Sequence, residues 1–495
     1  MLQDTLYEGI RNTMNEIREK KSQSEPDKRS VWRRYRDSRR ARQTTTTLLF
    51  ALPIAVLIIL MYTVFIRAPF NPKAGLIPKA GLTHKAGSTQ KAGLTQKGAQ
   101  HPSDLNTMVK QILDDMNAHS WDDQHQTTLI NWRKSDVAQV NCGPNACDPR
   151  GHSTRQDGTN DLRLLENMYW YRSTHPGDTS MDAYITRILP TVQREWGHTL
   201  LNKGWVYFTL MHMGDVSHDT AYWNNAMLGW AASEYKLIDP QLGVQHGPVD
   251  TTAGSDKQLL QDGYRVDHAL ETGLALVDAG TRFQHPEWIA AGRRDVKVVI
   301  QQAYDTHYHL FGRLYLINDP KFGSHKLLDT QARMGETGQE LEALIRAGVY
   351  THTPAYLSLA KEILDGLETS PLRDPNNGGF YFKIFLGPYM KHETGYVDKS
   401  IKETRQLHVL IAVALANKVF NNRWSDLEQS LITVAQQRLF LPAPVPGFSY
   451  RVLPSGQEFP CKSCVAPHSE DWVTSEADNI ALLALQTVTS NETVH

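Results

Sequence analysis

Apolar positions in residues 264–305 follow a helical pattern that recurs along the chain. Val266, Ala269, Leu270, Gly273, Leu274 and Val277 repeat at three- and four-residue spacing and predict a helix with one buried face. Ala279-Gly280-Thr281 closes it, and Pro286 suits the first turn of a second helix, which buries Trp288, Ile289, Val296, Val299, Ile300 and Ala303. The same unit appears three more times. A helix from about Trp205 to Gly214 is followed by one opening at Asp219. ETGQELEALIRAGVYTHTPAYLSLAKEILDGL opens its second helix near Pro354, and KETRQLHVLIAVALANKVFNNRWSDLEQSLITVAQQ near Arg423. Openings near 219, 286, 354 and 423 advance by about 68 residues, which indicates one supersecondary unit used repeatedly.

DLRLLENMYWYRST and SMDAYITRILPTVQREWG form a fifth pair. LNTMVKQILDDMNAHSW and SEADNIALLALQTVT lie at opposite ends of this region and are expected to pair with each other. Five hairpins in sequence plus one made from the two ends predict an all-α fold, a closed (α/α)6 toroid rather than an open solenoid. Residues 124–160 read as loop or short strand. NNGGFYFKIF and PGFSYRVLPSGQEF read as short β-hairpins decorating one rim.

This globular region spans residues 103–489, with a short tail at 490–495. Three different patterns precede it. Residues 1–46 are polar and basic, with 12 Lys/Arg against 7 Asp/Glu. Residues 48–66 form an uncharged apolar run of bilayer-spanning length, within a predicted transmembrane segment at 47–67. Eight Lys/Arg precede that run within 20 residues and four follow it, which orients the N-terminus to the cytoplasm and the C-terminal domain to the extracytoplasmic side as a single-pass signal-anchor. The long leading tail and the lack of an A-x-A site argue against a cleaved signal peptide. Residues 68–102 are low-complexity. Lys73, Lys79, Lys85, Lys91 and Lys97 recur every six residues, mostly as Lys-Ala-Gly, and large apolar residues are nearly absent, so this stretch reads as a flexible linker.

A formal net charge of -1 argues against a general nucleic-acid binder. The 11 Trp and 19 Tyr exceed what an ordinary helical core needs, and many sit near helix starts, where they can stack on a sugar ring or fill space between helices. The four cysteines form two close pairs, Cys142 with Cys147 and Cys461 with Cys464. Outside the cytoplasm two local disulfides are expected, and a four-thiolate structural zinc site is the alternative. No other cofactor is indicated. No phosphate-cradling Gly loop, H-E-x-x-H or Gly-x-Ser-x-Gly occurs, and Asp374-Pro375-Asn376-Asn377-Gly378 reads as a turn rather than a calcium loop.

The six-hairpin count and its repeat resemble the six-hairpin glycosidase, or (α/α)6-barrel, superfamily over about residues 104–489. NNGGFYFKIF, KETRQLHVLIAVALANKVF and TSEADNIALLAL look like segments of N-acylglucosamine 2-epimerases and bacterial endo-α-1,6-mannanases. The mannanase resemblance implies an adjacent Asp-Asp pair on an inner helix, and Asp114-Asp115 and Asp122-Asp123 do not fall there. The epimerase resemblance implies histidines on inner helices, for which His268 and His408 are the candidates.

In such a barrel the first helix of each hairpin lines the inside and opens the pocket at its starting end. The residues at these starts are Asp157 and Asp161; Trp205 and Tyr207; Asp262, Tyr264, Asp267 and His268; Glu336 and Glu340; Glu403 and Arg405; Glu476 and Asp478. Acidic residues at helix starts often serve only as caps or oppose the macrodipole. Their combination with Trp205, Tyr207, Tyr264 and Arg405 is what a sugar-binding cleft requires. Glycoside hydrolysis needs two carboxyls across the scissile bond, drawn from Asp161, Asp267, Glu340, Glu403 and Glu476. Epimerisation or isomerisation needs a base such as His268 or His408. Asp157, Trp205, Tyr207, Tyr264 and Arg405 are candidate substrate contacts, with Arg405 equally able to serve as a salt-bridge partner. The sequence therefore points to a monomeric, membrane-tethered carbohydrate-active protein. A glycoside hydrolase is expected first, a sugar epimerase second, and a non-catalytic glycan-binding or scaffold protein third.

Overall fold

The computed structural model describes residues 104–123, 126–128, 131–133, 158–195, 204–250, 259–441, 446–457, 472–490 and 494. The chain divides into two units, Met1–Gly93 and Leu94–His495, and all described residues belong to the second. The basic tail, the apolar run at 48–66, the linker and Asp157 lie outside the described residues. So do Cys142, Cys147, Cys461 and Cys464, and with them the choice between two local disulfides and a zinc site. Among the described residues, no helix is long and apolar enough to cross a membrane.

Twelve α-helices are described. They are α1 (Leu105–His119), α2 (Gly158–Thr174), α3 (Asp182–Glu195), α4 (Gly204–Val216), α5 (Thr220–Tyr235), α6 (Val266–Arg282), α7 (Pro286–Ala303), α8 (Met334–Tyr350), α9 (Pro354–Thr369), α10 (Leu407–Val419), α11 (Ser425–Val434) and α12 (Ser475–Thr489). Local chemistry sets several starts. The Asp104 carboxylate accepts the Asn106 and Thr107 N–H groups ahead of α1, and Asp219 accepts the Tyr222 N–H ahead of α5. Pro286 and Pro354 occupy first-turn positions of α7 and α9, where a missing N–H costs nothing.

The even-numbered helices pack in a ring, α2–α4–α6–α8–α10–α12, and α12 returns to α2. Each odd-numbered helix backs one member of the ring, and α1 backs α12, so the sixth hairpin is built from the two ends of the domain. The closing seam is hydrogen-bonded. Asn167 donates to the Asn479 carbonyl at 3.0 Å, Gln486 to the Asn167 side-chain oxygen at 2.9 Å, and Asn479 to the Asn160 carbonyl at 3.3 Å. Inner helices are enclosed on every side: residues 407–417 of α10 are all buried. This is why their apolar pattern runs all round, while outer helices such as α7 and α9 bury a single stripe.

Strands feed the ring. β1 (Gly247–Asp250), β2 (Leu259–Arg265), β3 (Leu314–Asp319) and β4 (Gly323–Asp329) form an antiparallel sheet in that order, with Leu260, Leu314 and Leu316 in a small core of its own. β2 runs directly into α6. Gln331–Arg333 runs into α8, Lys402–Glu403 leads through a short 3-10 turn into α10, and Trp472–Thr474 runs into α12. Two expectations are thereby corrected. Tyr264 ends a strand instead of opening a helix, because its backbone pairs with Tyr315 across the sheet. NNGGFYFKIF and PGFSYRVLPSGQEF are not self-contained hairpins: Lys383–Phe385 pairs with Gln331–Arg333 and Val397–Asp398, while Arg451–Val452 pairs with Lys402–Glu403. Their partners are two or three residues long, too short to show a period of two.

Two glycines set the inner-ring spacing. A Cβ on Gly204 of α4 would fall 2.3 Å from the Glu271 backbone of α6, and one on Gly338 of α8 would fall 2.3 Å from the His408 backbone of α10. No residue with a side chain fits either position without parting the helices. Gly338→Ala is expected to destabilise the chain by about 1–3 kcal/mol or more by overpacking. Gly177→Ala, where an added Cβ meets nothing within 4 Å, is expected to stay within about 0.5 kcal/mol. Thermal unfolding of the two variants checks the contrast.

Candidate active site

Arginine and carboxylate side chains meet where β2 and Gln331–Arg333 deliver α6 and α8 to the ring. Neither helix has a side-chain cap; an arginine, Arg265 or Arg333, stands at the cap position, and an acid follows in the first turn. Arg265 grips Asp267 through Nε at 2.9 Å and through Nη2, and reaches Glu336 across the ring at 3.0 Å. Arg313, from the turn before β3, donates to Glu336 at 2.9 Å and stands 3.7 Å from Asp329. Burial pushes Asp267 and Glu336 upward, but the guanidinium groups, with His268 assisting at Asp267, outweigh it and hold both below the usual carboxylate range. Arg451 donates to Glu403 at 2.6 Å, and Arg405 lies 3.6 Å from Glu476.

A second layer lies one helical turn further in, because residues four apart share a helix face. Glu271 follows Asp267, Glu340 follows Glu336, and His408 lies three residues after Arg405. All three are buried. Glu271 accepts the Trp205 N–H at 3.0 Å, yet burial first and then Asp267 push its carboxyl well up. Glu340 has no hydrogen bond or ion pair among the described residues, and burial, Asp267, Glu336 and Glu271 raise it in that order. His408 is pushed well below its ordinary value by burial and by the charges of Arg163 and Arg405, so it is a neutral imidazole. Its Nδ1 is buried without a hydrogen-bond partner among the described residues.

On the α2–α4 side, Glu166 accepts from Arg163 at 3.1 Å and Thr209 at 3.2 Å and lies 3.0 Å from His212 Nδ1. Burial raises Glu166, but Arg163 and His212 outweigh it, so this carboxyl is ionised. The Arg163 guanidinium lies 4.2 Å above the half-buried Trp205 ring. The site thus has a layer of Arg-bound carboxylates and, beneath it, neutral carboxyls and a neutral histidine.

Of the residues expected at the site, Asp267, His268, Glu336, Glu340, Glu403, Arg405, His408, Glu476 and Trp205 lie in or beside these two layers. His268, with its side chain 34% exposed, is the open member and stands 3.8 Å from Asp267. The structure places the others elsewhere. Asp161 is fully buried and accepts the Thr127 hydroxyl and Thr128 N–H, each at 2.7 Å, fixing a short hairpin to α2. Tyr207 is buried and donates to Asp278. Tyr264 donates to Gln302 and stacks on Tyr315. Asp262 pairs with His246, and the buried Asp478 accepts the Phe448 N–H. Asp114-Asp115 lies on the outer helix α1 and Asp122-Asp123 on a short strand and turn.

Arg163, Glu166, His212, Arg265, Glu271 and Arg313 were not singled out from the sequence. Glu271 carried a readable signal, since it lies on the face shared by Asp267 and His268. Arg265 and Arg313 carried none, because their role depends on the sheet. A cavity of about 480 Å³ opens elsewhere, bordered by Trp170, His175, Asp215 and Gln486. Among the described residues, no group of three His, Cys, Asp or Glu side chains is placed to hold a metal ion.

The fold, a closed toroid of six helical hairpins, is shared with several solved carbohydrate-active proteins. A D-mannose isomerase superposes with a TM-score of 0.53 at 11% identity, over 79% of this chain and 99% of its own. An unsaturated glucuronyl hydrolase specific for heparin gives 0.51 at 14%, over 78% and 96%. An inactive variant of an α-1,6-mannanase from Salegentibacter sp., in complex with α-1,6-mannotriose, gives 0.52 at 10%, over 78% and 99%. These likenesses establish the fold. No protein-family model and no curated protein matches the chain by sequence.

The raised carboxyls have a consequence for stability. Glu340 binds its proton more tightly folded than unfolded, so its contribution is fully present below its ordinary value of 4.5 and is lost as pH rises. Glu340→Gln, which mimics the neutral form, is expected to match the parent near pH 4 and to be more stable near pH 7. Denaturant unfolding at the two pH values tests this, and a variant less stable at both would show that Glu340 is ionised in the fold.

Proposed function

We propose that this chain is a carbohydrate-active enzyme that moves a proton on a free sugar, a sugar isomerase or epimerase. One observation carries the reading: the outer carboxyls of the two layers are each engaged by an arginine, while a neutral histidine sits inside the ring. Hydrolysis by a carboxylate pair requires one ionised carboxylate available as base or nucleophile. Asp267, Glu336, Glu403 and Glu476 are each paired with arginine, and Asp161 serves the hairpin. His408, neutral beside Arg163 and Arg405, is in the unprotonated form from which a general base starts, although the same charges weaken it as a proton acceptor.

In this reading a base takes the proton from the carbon next to the sugar carbonyl. Electron density moves onto the carbonyl oxygen; in epimerisation the proton returns to the same carbon from the opposite face, and in isomerisation it goes to the former carbonyl carbon while the neighbouring hydroxyl yields its proton to the former carbonyl oxygen. Arg163 and Arg405 stabilise the developing oxyanion, and neutral Glu271 or Glu340 donates a hydrogen bond to it. His268 completes an acid–base pair with His408, and the Asp267 carboxylate steadies its imidazolium. The D-mannose isomerase among the structural neighbours accords with this chemistry. Hydrolysis is the second reading, favoured by neutral Glu340 beside ionised Asp267, the opposed protonation states that acid–base cleavage uses. The apolar run at 48–66 and its flanking charges support a single-pass tether that presents the domain outside the cytoplasm.

The test is incubation of the full chain in D2O with a panel of aldoses, ketoses and α- and β-linked polysaccharides. Interconversion of monosaccharides with solvent deuterium on carbon is expected, and His268→Asn and His408→Asn are each expected to lower kcat by about 10²–10⁴-fold. Chain-shortened products without exchange, abolished by Glu340→Gln or Asp267→Asn, would replace isomerisation with hydrolysis. Glycan binding without turnover would leave a binding module.

A further inference from the structure

Two cations face each other at the mouth of the ring, and among the described residues neither makes an ion pair, although Asp398 lies opposite Lys383 on the far strand. Arg333 closes the strand before α8, Lys383 opens the strand beside it, and the antiparallel register sets them directly opposite. Like charges in that position destabilise a sheet. Their side chains nevertheless converge on one neutral acceptor. Gln331 Oε1 receives Nε and Nη2 of Arg333 at 3.2 and 2.9 Å and Nζ of Lys383 at 3.1 Å.

Both cations also crowd one aromatic face. Arg333 lies 5.3 Å and Lys383 4.9 Å from the Phe382 ring centroid, and Arg451 stands 5.5 Å from the same ring while paired with Glu403. Neither Arg333 nor Lys383 makes an ion pair among the described residues; Asp329, Asp398 and Glu403 act on Lys383 only from beyond that range. Burial first, and then the Arg333 charge, pull Lys383 down to about 8. A half-buried cation pair sharing one amide oxygen lacks the counter-charge that such pairs ordinarily recruit. The pair adjoins the candidate active site, since Arg333 is three residues before Glu336 and acts on its charge.

We propose that Arg333 and Lys383, on the Phe382 face, form an anion subsite that binds a carboxylate or sulfate-ester group of the substrate, so that the sugar processed is an acidic one. The planar guanidinium fork suits two oxygens of one anionic group, and the ammonium supplies a third contact. The inference rests on the reading of the chain as acting on sugars and deepens it by naming the substrate class.

Calorimetry on the full chain with glucose, glucuronate and glucose 6-sulfate, at low and high salt, tests it. An anionic sugar bound at least tenfold tighter than glucose, with the advantage shrinking as salt rises, is expected, and the two acidic ligands distinguish carboxylate from sulfate. Lys383→Met and Arg333→Gln are each expected to reduce that preference at least tenfold, and Lys383→Arg to retain it. Equal affinity for neutral and acidic sugars, a preference that survives in Lys383→Met, or a loss shared equally by all three ligands would each overturn the subsite. Turnover separates the two claims: turnover of neutral sugars without acidic preference leaves the enzyme reading and removes the subsite, whereas acidic-sugar preference without turnover does the reverse.

Discussion

Ring closure is the constraint on which the rest of this structure depends. The inner helices have no face to offer to solvent, so an open arrangement would leave the flanks of α2 and α12 in water. The seam between them joins residues more than 300 positions apart and is held by the amides of Asn167, Asn479 and Gln486 as well as by apolar packing. Hydrogen bonds at a seam contribute direction more than energy, since each exchanges a bond to water for one to protein. Here they fix the rotation of α12 against α2, and with it the direction in which the first turn of α12 presents Glu476.

Closure also determines the state of the charged groups. Any polar side chain pointing inward from a closed ring is removed from bulk water, and a buried charge requires a partner or loses its charge. Both outcomes occur, one turn apart. Asp267 and Glu336 at the first turn lie within reach of arginines carried by the strands and the turns beside them, and are held below the usual carboxylate range. Carboxyls a turn deeper meet no such arginine, feel the charges above them and keep their protons. The gradient from paired charge to neutral acid follows from the distance each position lies from the strands that enter the ring.

That dependence explains how much was readable in the amino-acid sequence. The hairpin repeat, the pairing of the terminal helices and the closed ring were legible, because they rest on helical periodicity over long segments. Second helices expected near 286 and 354 begin at Pro286 and Pro354. Acidic residues at helix starts were legible as a class, but their roles were not: Asp161 fixes a hairpin and Asp478 binds a backbone N–H, while Asp267 joins the arginine network. The difference is made by Arg265, Arg313, Arg333 and Arg451, which reach the ring on strands of two to seven residues or the turns beside them. Such short strands carry no usable alternation, and their partners are set by tertiary register.

The electrostatics of the mouth follow from the same geometry. Six inner helices point their N-terminal ends at one region, and each adds partial positive charge from the aligned peptide dipoles. The carboxylates Asp267, Glu336, Glu403 and Glu476 answer that field, yet the strands bring arginines that neutralise them in turn. What is left is the field of the helix ends, together with Arg333 and Lys383, which make no ion pair among the described residues. A region biased in this way disfavours an imidazolium at its base, in keeping with a neutral His408 between Arg163 and Arg405. It also favours negative charge arriving from outside. The same excess of positive charge thus leaves the rim receptive to anions and the interior histidine unprotonated.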